Sequence, residues 1–252
     1  MIEILILSII QGVTEFLPIS SSSHLILISK YMSFNNQSLS IDVSLHIGSF
    51  IAVIIYFYKD ILNFFQNKTI FLKIFISSLP VMAIGFFLAE TGMIDKFRNL
   101  EVIAWTTIIF GILLFLSDKF KLENNISENF TFKAAIFVGL FQVLSLVPGV
   151  SRSGIAITAS RFLNFKRVDA AKISFLLSIP ILGAVSIYGL KNLLLSENVY
   201  LTKLNLISIF LSFIVSYITI KFFLSYISKF NLNVFVYYRV FIGCTLLILA
   251  YL

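Results

Sequence analysis

Long apolar runs separated by short charged clusters make up most of the chain, and two of them are broken near the middle by a proline followed by serines. A helix needs about 20 mostly apolar residues to cross a hydrocarbon core of roughly 30 Å. Six runs satisfy this: Ile41–Tyr58, Phe71–Ala89, Glu101–Ser117, Ile173–Leu190, Leu204–Leu224 and Val234–Leu252. Pro80 and Pro180 lie inside two of them and predict local bends. The runs lack the strict apolar–polar alternation of a transmembrane barrel, so the predicted fold is all-α.

The broken runs have a different plan. Ile2–Pro18 is interrupted by Glu3, Gln11, Gly12, Thr14 and Glu15; the polar Ser20–His24, the apolar Leu25–Ser29 and then Lys30 follow. In the second half, apolar Phe132–Val147 leads into Pro148–Gly154 and then apolar Ile155–Leu163. A polar, proline-broken centre between short apolar arms predicts a re-entrant helical hairpin, tolerated at membrane depth only inside protein or beside a cavity. The hydrophilic stretch Asp118–Lys133 divides the halves, so a single integral membrane domain, residues 1–252, holds two repeats, about 1–120 and about 130–252. Each repeat is one hairpin plus three spans. An odd span count turns the second copy over, which predicts an inverted-topology repeat.

Composition supports the membrane reading: 59% of the 252 residues are hydrophobic and 12% charged, with a mean hydropathy of +1.00. A soluble fold of this size could not bury that much apolar surface. The net charge of +7 is spread over loops, so it points to membrane orientation rather than to nucleic acid. With Arg152 and Arg239 set aside as intramembrane, five Lys and Arg fall on the side of the N-terminus and twelve on the other. Both termini are therefore expected outside the membrane, with the first hairpin opening from the outer face. Met1–Ile10 has neither a basic start nor a small-residue cleavage site, so it is expected to remain in the mature chain. Cys244 has no partner cysteine and is expected to be a small buried hydrophobe.

Ionisable residues among transmembrane helices cost about 2.5–3.5 kcal/mol each on insertion scales, so the few present are candidates for function. Gln11 and Glu15, four apart, share a helix face and can hold a divalent cation or orient water. Pro18 ends that helix, and the hydroxyls of Ser20, Ser21 and Ser22 with nearby backbone N–H groups offer a phosphate site at a helix start. His24, three residues beyond Ser21, is placed as a general base toward a hydroxyl or water. Gly149, Ser151, Arg152, Ser153 and Gly154 form a second anion nest, with backbone approach at the glycines and a guanidinium fork. A salt bridge from Arg152 to Glu15 is the plainer alternative. Asp42 and His46 suit either a gate near the site or an ordinary interfacial pair. Arg239 is expected to snorkel to the interface, and the cluster Arg161–Lys172 to set topology.

The sequence Gln11 to His24 together with Pro148 to Gly154 resembles the bacterial undecaprenyl-diphosphatases of the bacitracin-resistance type, and the similarity extends through Asp42–Ser49, Ser174–Pro180 and Tyr238-Arg239. The resemblance implies hydrolysis of undecaprenyl diphosphate to undecaprenyl phosphate and phosphate, which recycles a lipid carrier for cell-wall synthesis. It also implies a divalent cation (Mg2+ or Ca2+), six spans with two re-entrant hairpins, and a site open outward; a homodimer is compatible with it. By the same resemblance Gln11 and Glu15 take metal or acid–base positions, Ser21 and His24 those of nucleophile and base, and Ser151, Arg152 and Ser153 those of pyrophosphate binding. Ser23 stands where the family usually has Gly, and Ala156 where it has Thr, with Thr158 nearby. Attack by Ser21 and attack by a water held at Glu15 both remain open. A lipid or ion transporter on an inverted repeat is the rival class. The other class of membrane lipid phosphatases is excluded, because no histidine follows Ser151-Arg152.

Overall fold

The computed structural model describes residues 2–32, 39–66, 68–195 and 203–252, so Met1 lies outside the described residues. These residues fold into helices α1 (Ile2–Thr14), α2 (Ser21–Met32), α3 (Leu39–Tyr56), α4 (Tyr58–Gln66), α5 (Lys68–Glu90) and α6 (Leu100–Asp118) in the first half. The second half has α7 (Ile126–Asn129), α8 (Phe132–Val143), α9 (Arg152–Phe162), α10 (Arg167–Leu195), α11 (Lys203–Ile227) and α12 (Asn233–Tyr251). Helices α3, α5, α6, α10, α11 and α12 are each long and apolar enough to cross a membrane. They are the six predicted spans, shifted by a few residues at their ends. α1–α2 and α8–α9 are the arms of the two broken segments.

Helices of the two halves pack against one another. α1 lies on α11 and α8 on α5; α3 meets α10, and α6 meets α12. Small residues allow the close approaches: a Cβ on Gly12 of α1 would lie 2.7 Å from Val215, and one on Gly139 of α8 would lie 2.3 Å from the Ser77 carbonyl oxygen. Between α3 and α11, Ser49 Oγ is 3.2 Å from Ser212 Oγ and 3.0 Å from Ser216 Oγ. Without a hydrophobic drive between helices in lipid, close backbone packing and such hydroxyl bonds hold a bundle together.

At the lysine-rich end, Asp118 closes α6 against the second half. Its Oδ1 accepts from Arg167 Nε at 2.7 Å and lies 3.5 Å from Arg161 Nε, while Oδ2 accepts from the Leu232 N–H at 3.2 Å. Arg161 is fully buried. It donates to the carbonyl oxygens of Lys121 at 3.0 Å and Asp118 at 3.2 Å, and to those of Phe120 and Phe165. Arg161, expected only to help set topology, has a structural task as well: the carbonyls of the α6–α7 connection and of the turn after α9 need donors, and Arg161 supplies them. The expectation for Cys244 is corrected. It is exposed on the outer wall of α12, where lipid rather than protein covers an apolar side chain.

Candidate active site

The two breaks meet, and Glu15 lies between them. α1 ends at Thr14, and Glu15 hangs in the turn just beyond it, its side chain only 5% exposed. One carboxylate oxygen, Oε1, accepts from Arg152 Nη2 at 2.7 Å; the other, Oε2, accepts from Ser21 Oγ at 2.6 Å and from Gln11 Nε2 at 3.1 Å. Ser21 is the first residue of α2 and Arg152 the first of α9. The starts of two helices, one from each half, are therefore joined through a single carboxylate, and the dipole at a helix start favours an anion there.

Each break enters its second helix through a serine in left-handed backbone: φ is 75° at Ser20 and 72° at Ser151. Ser151 then caps α9, its Oγ accepting from the Gly154 N–H at 3.1 Å and lying 3.2 Å from Ser153 Oγ. Ser153 reaches across to the first break and donates to the Leu17 carbonyl at 2.8 Å. Ser20 Oγ lies 3.0 Å from Ser23 Oγ and 3.4 Å from Ser22 Oγ, and Ser22 is exposed. The glycines also allow close packing of protein. A Cβ on Gly149, at φ 94°, would lie 2.0 Å from Thr106 Oγ1, and one on Gly154 would lie 3.0 Å from Arg239 Nη1. Their missing side chains make room for protein.

Gln11 is held in one orientation. Its Nε2 faces two acceptors, Glu15 Oε2 and, at 3.0 Å, His46 Nδ1 on α3. The amide must present N–H to both, so its Oε1 points elsewhere; that atom is buried and has no hydrogen-bond partner. Arg152 Nη1 is likewise buried and without a partner. An orphan acceptor and an orphan donor thus flank Glu15. The oxygens of Gln11 and Glu15 suit a hard cation, but among the described residues no three or more His, Cys, Asp and Glu gather to hold one. Such an ion would complete its shell with oxygens from a phosphate and from water.

His24 does not contact Ser21, whose hydroxyl is engaged by Glu15. The His24 Nδ1–H donates to the Ser20 carbonyl at 2.6 Å, and Nε2 then accepts from the Tyr238 hydroxyl, also at 2.6 Å, with the two rings stacked at an interplanar angle of 10°. In place of the expected serine–histidine pair, the geometry is serine–glutamate beside histidine–tyrosine. Three residues of this neighbourhood were not assigned to it by residue chemistry: Tyr238, His46 as the holder of Gln11, and Arg239. The only signal for the first and last was that Tyr238-Arg239 belongs to the family-like pattern. Arg239 does not snorkel; it is 0% exposed and donates only to backbone carbonyls. Thr158 is buried, 2% exposed, on α9.

Residues 4–245 match the model of the family described as bacitracin resistance protein BacA. The chain belongs to the BacA family. Its curated relatives include a protein named undecaprenyl-diphosphatase from Pelagibacter ubique, 50% identical over 251 residues that cover 99% of this chain and 98% of the relative. Proteins of the same name from Saccharophagus degradans and Jannaschia sp. are 40% identical over 258 residues (97% and 96% of the two chains) and 35% identical over 260 residues (98% and 97%). The BacA match runs through both breaks, five of the six spans and most of the sixth, so Glu15, Ser21 and Arg152 all lie within the matched residues.

Proposed function

We propose that this chain hydrolyses undecaprenyl diphosphate, releasing inorganic phosphate and leaving undecaprenyl phosphate for another round of cell-wall synthesis. The single observation that carries the reading is Glu15, which binds the nucleophile candidate Ser21 on one oxygen and the phosphate-binding candidate Arg152 on the other. BacA membership and the printed name of the relatives supply the substrate class. Bacitracin resistance follows the family's name.

In the proposed sequence of events, the lipid diphosphate enters between the hairpins and draws Arg152 onto its terminal phosphoryl group, starting with the free Nη1 donor. Charge-assisted bonds of this kind are worth about 1.5–3 kcal/mol each. Once Arg152 has moved, Glu15 is released from its salt bridge and can accept the Ser21 proton along the existing 2.6 Å hydrogen bond. Ser21 Oγ then attacks the distal phosphorus, and the bond to the bridging oxygen breaks. Undecaprenyl phosphate leaves, and water cleaves the serine ester to release phosphate. A water held by Glu15 could make the same attack directly; the short hydrogen bond favours the serine route. Gln11 Oε1 and Glu15 would hold a Mg2+ or Ca2+ ion, which when bound would neutralise phosphoryl charge. Ser151 and Ser153 order the start of α9, so that its N–H groups can share in that neutralisation.

The lysine-rich side is proposed to face the cytoplasm, so both termini and the mouth of the first hairpin face outward across the inner membrane. The test is release of phosphate from undecaprenyl diphosphate by the purified protein in detergent with Mg2+ or Ca2+, compared with Glu15→Gln and Arg152→Ala. Release by the wild type alone supports hydrolysis. Binding of the lipid with no release by any form would favour the transporter reading instead.

A further inference from the structure

We infer that Arg239 is a positioning residue that fixes the distance between the two breaks, and so sets the contact of Glu15 with Ser21 and Arg152. The inference rests on the proposed site. Arg239, two turns into the apolar helix α12, is fully buried, and among the described residues no carboxylate pairs with it. Its Nε donates to the Thr107 carbonyl of α6 at 3.1 Å. Nη1 donates to Pro18 and Val150 at 3.1 Å each, and Nη2 to Gly149 at 2.8 Å and Val150 at 3.2 Å.

The identity of these acceptors explains the burial. A helix that stops leaves carbonyl oxygens without N–H partners, and within a bilayer each such group costs several kcal/mol unless protein satisfies it. Pro18 is in the first break, Gly149 and Val150 in the second. One planar guanidinium, with donors fixed in a fork, satisfies orphan carbonyls of both. It therefore does more than solvate them, because the first break cannot move away from the second without losing a bond. Two glycines clear its path: a Cβ would lie 3.2 Å from the Arg239 Cβ at Gly111 and 3.0 Å from Nη1 at Gly154. The neighbouring Tyr238 extends the same brace to His24.

A lysine retains the charge but has one nitrogen and cannot span three carbonyls on two breaks. Arg239→Lys should thus fold, melt within a few degrees of wild type and bind the lipid with little change in KM, while kcat falls by about 100-fold, the scale of a misplacement near 1 Å. A geometric readout separates positioning from bulk stability. In a Cys244→Ser background, spin labels at Ser22→Cys and Leu144→Cys, one on each broken segment, should give a narrow distance distribution that broadens when Arg239→Lys is added. If Arg239→Lys does not fold, Gly111→Ala presses on Arg239 without removing its charge and should lower kcat with KM unchanged. A kcat within twofold of wild type in the folded variant, or a distance distribution that does not change, overturns the inference. Failure of the wild type to release phosphate would instead overturn the proposed function, and the label distances would still test the brace.

Discussion

The hydroxyl of Ser21 gives its hydrogen bond to Glu15, at 2.6 Å, and not to His24, three residues further along the same helix. In the proposed reaction this hydrogen bond makes Glu15 the proton acceptor for a serine attack. Glu15→Gln should reduce kcat by about 100- to 10,000-fold, the range attributed to a positioned general base. Acid quenching after brief exposure to lipid labelled in its terminal phosphate should trap phosphoserine at Ser21. A Ser21→Ala variant that turns over near the wild-type rate would rule out the serine route and leave direct attack by water.

The Glu15–Arg152 pair is buried, with side chains 5% and 13% exposed, so breaking it should affect stability as well as activity. Removing one partner of a buried pair typically costs about 3–5 kcal/mol through the charge left behind. Arg152→Ala should therefore lower the melting temperature, followed through the single tryptophan, Trp105. The double variant Glu15→Gln with Arg152→Ala should recover part of the loss, since no carboxylate is then stranded. Additive losses would contradict this account.

Tyr238 orients His24 through a 2.6 Å hydrogen bond. Tyr238→Phe should lower kcat by roughly 3- to 10-fold, about the value of one net hydrogen bond. Combined with His24→Ala it should add little, because both changes disable one unit. Full additivity in this double-mutant cycle would show that the two residues act separately.

Gln11 faces two acceptors, which gives a testable asymmetry. Gln11→Glu would set a second carboxylate against Glu15 and the ring nitrogen of His46, a repulsion relieved by a cation. The variant should be less stable than wild type in EDTA and gain more stability from added Mg2+ or Ca2+. Equal shifts in melting temperature with metal for both proteins would place the ion elsewhere.

At the opposite end, Asp118→Asn leaves Arg161 buried without its counter-charge and should cost about 3 kcal/mol or more in stability. KM should stay near the wild-type value. An unchanged melting temperature would show that the carbonyls around Arg161 suffice without the carboxylate.

The spans were legible because an apolar run of the required length is a local property of the sequence, and so were the breaks, where proline and serine clusters interrupt such runs. The meeting of Glu15 with Arg152 could also be anticipated, since two lone intramembrane charges of opposite sign have few other partners. Arg239 was misjudged for a physical reason: snorkelling assumes that water is the nearest relief for a buried cation, whereas here the orphan carbonyls of two broken helices are nearer. The partner of His24 was not legible because proximity along α2 does not say which way a ring turns; Tyr238, 214 positions away, decides that. The Gln11–His46 contact likewise depends on α1 packing beside α3, which hydropathy does not encode.

The pairing of Arg152 with Glu15 also bears on the end of the catalytic cycle. A site that binds a phosphate tightly enough to cleave its anhydride risks keeping the freed phosphate. In the proposed cycle the carboxylate that gave up Arg152 to the incoming lipid stays in place, a side-chain swing away, and competes for the guanidinium once the serine ester is cleaved and Glu15 has lost its proton. On that proposal Glu15 is an internal rival of the inorganic product. Product inhibition by phosphate should be weak for this reason, and the protein returns to its compact resting contact by expelling what it has made.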